Sequence, residues 1–304
     1  MAAPKKRFKI NRPSLTRKYD VREGAVIQTV EDALKVASDI KSAPNEFTVY
    51  RGQSNWGWIL RPKAFRKPSW YRHEHDMVRE LISAQPQEFS SDSLMLDRLV
   101  RMAHYGLPTR LLDITTNFLI ALYFACEEAP DSGKDGAVFV IRGEQPQAKY
   151  YDSDAVGLLA NLSRLSELEK RLMFRSSPEN NPTDYLDDAF NKFSPVARLL
   201  QFVRDEKPYF LAKARKIDLM SAFYVMPKKN NRRIIAQSGA FLVFGLIGDD
   251  RNPQLDTLAI TRHKVLAIDK TSMREQLVAL GITEVSLYPE LDHAAAYISN
   301  RFSK

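Results

Sequence analysis

HYGLPTRLLDITTNFLIALYFA, residues 104–125, sets a polar block directly against an apolar one. It opens on His104 and breaks at Gly106-Leu-Pro108, because a helix does not run on through proline. Leu111 to Ile114 follows, short and apolar. Thr115-Thr116-Asn117 then offers side-chain oxygens to the unpaired N–H groups of a helix's first turn. That helix, Phe118 to Glu128, is almost wholly apolar and must be buried. His104, Thr109, Arg110 and Asp113 thus lie beside buried surface, where an unpaired polar group costs about 1–3 kcal/mol. They form either a structural hydrogen-bond network, with Arg110 and Asp113 as an ion pair, or a site.

Upstream, Ser93 to Tyr105 has the spacing of a helix, with Leu94, Leu99, Met102 and Ala103 on its buried face. Phe47-Thr-Val-Tyr50-Arg51 is β-rich and closed by Gly52, which predicts a strand ending in a tight turn. An arginine there is a candidate anion clamp, its fork binding phosphate while Gly52 admits the ligand to the backbone. A surface arginine at an ordinary strand end is the plainer reading. Val30 to Ile40 and Trp70 to Gln87 read as helices. His73-Glu74-His75 lacks the i, i+4 histidine spacing of a metal site and reads as solvated helix surface.

Downstream, Gly136 to Ile141 is a central strand. Leu158, Leu162, Leu165, Leu168 and Leu172 mark a helix over 158–175 that supplies core or a packing seam. Pro178 to Thr183 is a candidate linker, and Asp184 to Lys213 is largely helical with breaks at Pro195 and Pro208. Strands are expected at Ser221 to Met226, Ala240 to Leu246, Lys264 to Ile268 and Val285 to Leu287, with a helix from Ser272 to Leu280 ending at Gly281. The expected organisation is a basic tail over 1–20 and one α+β domain over 21–304, with a helical insertion at about 155–213.

The net charge of +8 over 304 residues invites a nucleic-acid reading, but seven of those charges lie in residues 1–18 and the body is close to neutral. The tail can bind phosphates, serve as a targeting address or be a solvated end. A second basic cluster, Lys228, Lys229, Arg232 and Arg233, is either a phosphate contact that reads no sequence or a solvated hairpin tip. The lone Cys126 rules out an intramolecular disulfide and fits a reducing cytoplasm. No apolar run follows the basic start as in a secretory signal, and Phe118–Cys126 is far short of a membrane span. Nothing in the pattern suggests a metal site, and neither G-x-G-x-x-G, a P-loop nor G-x-S-x-G occurs.

Five blocks together resemble the FRG domain, from about Phe47 to Tyr297. They are Tyr50-Arg51-Gly52; His104-x-Gly-x-Pro-Thr-Arg-Leu-Leu-Asp113-x-Thr115; Ala121-Leu-x-Phe-Ala125; Gln237-x-Gly-x-Phe241; and Gly281-Ile-x-Glu284-x-x-Leu-x-Pro289-x-Leu-Asp292. Ile114 stands where the family commonly shows Trp. The order Tyr50-Arg51-Gly52, Thr115-Thr116 before an Ala-x-x-Phe-Ala helix, then Glu284 before an apolar strand and Pro289, is also similar to the arginine-serine-glutamate ADP-ribosyltransferases. It departs from them in placing Asp113 and a Thr pair where they carry Ser-Thr-Ser, and Ile282 where they carry a second acidic residue.

The second resemblance implies a mostly antiparallel split sheet flanked by helices and NAD as substrate. Glu284 would hold the ribose 2′-hydroxyl against the oxocarbenium-like charge, and Arg51, with Tyr50 and Gly52, would take the pyrophosphate. Thr115 or Thr116 would orient the glutamate or the nicotinamide ribose, while His104 and Asp113 would position the acceptor or take its proton. The resemblance to the FRG family implies a bacterial toxin or anti-phage effector that modifies a macromolecule, RNA or DNA ahead of protein, with an antitoxin or regulatory protein as further partner. Two alternatives stay open: an NAD-independent nuclease or hydrolase built on His104, Asp113, Arg110 and Arg51, and a non-catalytic FRG binding module.

Overall fold

The computed structural model describes residues 20–41, 43–127, 133–176, 188–248, 255, 257–290, 295, 299 and 302. The basic tail up to residue 19, the linker Pro178 to Thr183, Glu128 and Asp292 lie outside them. Eight strands form one mixed sheet among these residues: β1 (Val21–Ile27), β2 (Glu46–Gln53), β3 (Leu111–Thr115), β4 (Gly136–Glu144), β5 (Ala148–Tyr150), β6 (Ala222–Met226), β7 (Gly239–Phe244) and β8 (Ala259–Val265). Their order is β1-β8-β4-β2-β3-β7-β6-β5. Only the β1–β8 and β5–β6 pairs are parallel, so the sheet is mostly antiparallel, as expected.

The pairing is uneven where it matters. Every residue of β2 from Glu46 to Gln53 has a partner on β4, and β3 pairs with β7 along its whole length. Between β2 and β3 the one paired position is Tyr50 with Thr115. The ladder therefore nearly parts at its centre into β1-β8-β4-β2 and β3-β7-β6-β5. Alternation along the strands sends Phe47 and Val49 of β2 and Leu112 and Ile114 of β3 into one core, together with Leu60, Phe65 and Tyr71 of the connecting segment. On the other face Leu111, Phe241 and Val243 meet helices Met95–His104, Asp154–Asn161, Glu167–Arg175 and Ser194–Glu206. A third core joins helices Phe118–Ala125 and Lys270–Ala279 to Val138 and Val140. The insertion thus packs as part of the main core.

Several elements differ from expectation for local reasons. The helix expected over 70–87 is three pieces, Pro68–Arg72, Glu74–Ala84 and a 3-10 turn at Pro86–Phe89. The leucine-rich helix is broken by a 3-10 turn at Leu162–Arg164 and restarts where the Ser166 side chain accepts from Glu169 N. Within the stretch expected to be helical up to Lys213, residues 207–213 are not, since Pro208 cannot continue the ladder. The strand expected at 264–268 lies earlier, at Ala259–Val265, with Ile260, His263 and Val265 buried. The strand expected at 285–287 is a short helix, Glu284–Leu287. There Thr283 caps Ser286 N and Ser286 answers Thr283 N, a reciprocal cap that outweighs the β-prone Val285.

Candidate functional site

Arg51 explains how the sheet parts. If the Tyr50–Thr115 register continued, strand β2 would meet Asp113 in a ladder bond. Instead Arg51 Nη1 donates to the Asp113 carbonyl oxygen, so a guanidinium takes the place of a neighbouring strand's amide. With its amide turned to satisfy both partners, Gln53 accepts from Arg51 Nε (3.1 Å) and donates to the Trp58 carbonyl (3.1 Å). Gly52 is required beside it. A Cβ there would lie 1.8 Å from the Ala121 carbonyl oxygen, because helix Phe118–Ala125 rests directly on β2. Burial lowers the Arg51 guanidinium to about 10, with the Asp113 charge opposing and the exposed Arg66 adding to the shift. Arg51, Arg66 and exposed Asp113 thus form one electrostatic group at the parting of the strands. The Asp113 carboxylate makes no hydrogen bond or ion pair among the described residues, and so is open to a ligand.

His104, last residue of helix Met95–His104, stands beside this group. Its Nε2 lies 3.0 Å from Glu290 Oε1, and its Nδ1 lies 3.5 Å from Asn231 Nδ2. The His104 pKa is lowered by burial first and then by Arg233, while Glu290 and Asp113 pull the other way. A neutral imidazole held by a carboxylate on one nitrogen can accept a proton on the other. Arg233 stacks on the Tyr288 ring at 4.6 Å, and Tyr288 OH donates to Glu127 Oε1 (3.1 Å). Burial raises both the Glu127 carboxyl and the Tyr288 hydroxyl.

The expected residues are only partly gathered. Arg51 and Asp113 meet, and Asp113, His104 and Arg233 share one field. Thr115 is buried and its hydroxyl is committed, donating to Gln237 O (2.8 Å) and accepting from Asn117 N (3.0 Å). Thr116 N donates to Ser238 O (3.0 Å), and Ser238 holds a left-handed φ of 45°, uncommon for a residue other than glycine. Tyr50 is turned to the face opposite Arg51 and packs edge-on against Phe118 at 5.2 Å. Glu284 opens a helix instead of a strand, and its charge is felt at Tyr123 and Glu127. Among the described contacts it does not reach Thr115 or Arg51. Of the basic cluster, Lys228 pairs with Asp97 (2.9 Å) and Arg233 with Tyr288, leaving Lys229 and Arg232 exposed.

Arg110 is no partner of Asp113. It is wholly buried and binds Glu74 with two bonds (Nε 2.9 Å, Nη2 2.5 Å), and Lys170 Nζ reaches the same carboxylate at 2.8 Å. Arg110 also donates to the Phe244 (3.0 Å) and Gly245 (3.3 Å) carbonyls. Burial alone would raise the Glu74 carboxyl, but Arg110 and Lys170 bring it down to about 2. His73-Glu74-His75 is therefore not a solvated surface, for its central residue is fully buried. Glu74, Glu290, Arg66 and Glu127 were not singled out by the motif reading. For Glu74 a signal was present: Tyr71, Glu74 and Val78 share one helical stripe.

The fold and site define a mixed α+β protein with a cationic and carboxylate group at the parting of its central strands. The FRG-domain family model matches residues 46–134, from the first residue of β2 to the approach to β4. The blocks at 237–241 and 281–292 fall beyond the matched stretch. No curated protein and no solved structure matches the chain. No helix among the described residues is long and apolar enough to cross a membrane, and no cluster of His, Cys, Asp or Glu there would hold a metal ion.

Proposed function

We propose that this protein is an NAD-dependent ADP-ribosyltransferase whose substrate lies where β2 and β3 part. The observation that carries the reading is the single Tyr50–Thr115 bridge, with Arg51 and Arg66 beside the opening. A sheet nearly parted at its centre leaves room for a substrate there, and two guanidinium groups suit a pyrophosphate. In the reaction the bond between nicotinamide nitrogen and ribose C1′ breaks, its electron pair leaving with nicotinamide. An acceptor lone pair forms the new bond to C1′, and His104 takes the acceptor's proton. The exposed Asp113 carboxylate is better placed than Glu284 to stabilise positive charge at the ribose, being the acidic group beside Arg51.

Nicotinamide release from NAD by the purified protein is the test. Arg51→Ala should lower it about 100-fold, the scale of losing one preorganised charged donor. Release that is absent, or unchanged in Arg51→Ala and Asp113→Asn, sinks the reading. The His104–Glu290 contact favours one alternative, a hydrolase or nuclease with His104 as base. That enzyme would cleave nucleic acid without NAD and lose the activity in His104→Ala.

A further inference from the structure

Helix Met95–His104 and the segment Pro227–Asn231 enclose a cavity of about 120 Å³ that ends at His104. At about 30 Å³ per water it holds roughly four waters, enough for one small group of a larger ligand. Leu96, Val100 and Ile234 give it an apolar floor. Its wall charges are spoken for: Arg101 holds Asp92 with two bonds (2.8 and 2.9 Å), and Lys228 holds Asp97. The interior therefore carries little net charge and does not call for an ion.

The rim differs. Tyr105 is 70% exposed at the cavity edge, its ring 5.1 Å from that of His104. Lys229 and Arg232 are exposed on the adjoining segment and make no ion pair among the described residues. Asn230 adds an exposed amide. An open aromatic face, two unpaired cations and an amide around a neutral slot are the parts that hold a stacked base and its flanking phosphates.

His104 is oriented for such a ligand. With Glu290 on Nε2, that nitrogen carries the proton, and the lone pair sits on Nδ1. Nδ1 faces Asn231, a cavity-lining residue, at 3.5 Å, long for a hydrogen bond and readily exchanged for a ligand hydroxyl or amine.

We infer that this cavity and its rim are a subsite for single-stranded nucleic acid, with one base stacked on Tyr105, phosphates on Lys229 and Arg232, and the reacting group directed at His104 Nδ1. As the acceptor side of the transferase the subsite rests on the proposed function; as a binding site it does not. The strand's nucleophilic oxygen or nitrogen would bond to ribose C1′ and pass its proton to Nδ1.

The test is fluorescence anisotropy of the full-length protein with a labelled single-stranded RNA of mixed sequence, without NAD, across a salt series. Tyr105→Ala should weaken binding by about 5- to 100-fold. Lys229→Ala with Arg232→Ala should reduce the slope of log affinity against log salt by about 1.4, the single-strand value for two phosphate contacts. Lys213→Ala, away from this rim, is the control and should change neither. Crosslinking a 4-thiouridine oligonucleotide should mark the 104–105 peptide, which separates this site from binding by the basic tail. Unchanged affinity in both rim variants, preference for duplex, or competition by an acidic peptide alone overturns the subsite. If the rim variants weaken binding but no nicotinamide is ever released, the subsite stands and the transferase reading falls.

Discussion

Replacing Glu74 by leucine removes the one anion between two fully buried cations. Arg110 and Lys170 lie within 2.5–2.9 Å of its carboxylate, and all three side chains have no solvent exposure. Breaking a buried pair by deleting one partner costs about 3–5 kcal/mol, because the remaining charge keeps its desolvation penalty. Two cations remain here, but their responses differ. Lys170 is already lowered by burial, against the pull of Glu74, and on losing Glu74 it can shed its proton. Arg110 cannot. The penalty therefore stays in the range for one stranded charge, and at about 2 °C per kcal/mol for a chain of this size Glu74→Leu should lower Tm by about 6–10 °C at pH 7. Lys170→Met should cost far less, since Glu74 keeps both bonds to Arg110. The Glu74 carboxyl sits at about 2 against an ordinary 4.5, so its contribution is complete above about 4.5 and fades as pH falls towards 2. The Tm gap between wild type and Glu74→Leu should narrow over that window. Thermal melts by circular dichroism read both effects. A Tm within 2 °C of wild type for Glu74→Leu, or equal losses for Glu74→Leu and Lys170→Met, would refute the account of Arg110 as structural.

Two further outcomes follow from the site. Gly52→Ala would press a methyl against the Ala121 carbonyl and Ala125 N, both backbone atoms that move only with their helix; a loss of about 1–3 kcal/mol in denaturant unfolding is expected, and none at all would mean β2 and the helix are not in contact. Burial lowers His104, so whichever reaction it serves should gain its acid limb below pH 6.5 and stay level through pH 7–8, a limb that His104→Gln removes. A limb centred above 6.5 would show that the His104–Glu290 pair, not burial, sets the proton affinity.

How far the sequence carried the reading depended on how local each cause was. The strand through Arg51-Gly52, the short apolar segment at 111–115 and the buried helix after it were legible because caps and apolar runs act within a few positions, although the turn expected at Gly52 falls beyond Gln53. The Asn117 cap is one such case, its side chain accepting from Leu119 N. Pairings made across the chain were not legible. Arg110 meets a carboxylate 36 positions earlier, and His104 meets one near the chain's end. Nothing within a window around Arg110 prefers Glu74 to Asp113, three residues on. Glu284 fails in the opposite way: motif order favoured a strand, and a Thr–Ser cap three residues long made a helix turn.

The polar block that first read as one cluster is in fact divided by the pleat of the sheet. Side chains of a strand alternate between faces, so neighbours in sequence serve different neighbours in space. Arg110 turns into the core and anchors helices from both sides of the motif through Glu74 and Lys170, while Asp113 faces solvent and is left without a side-chain partner among the described residues. On β2 the same division holds. Gly52 admits a helix backbone at a distance no other residue allows, and Arg51 reaches across the gap to the Asp113 carbonyl. A guanidinium in place of a ladder amide holds the strands in register yet apart, and it brings a positive charge to the opening. A lysine cannot supply both bonds of that fork, so Arg51 and Gly52 act as one structural device: the glycine lets the helix close on one strand, and the arginine keeps the next strand from closing on it.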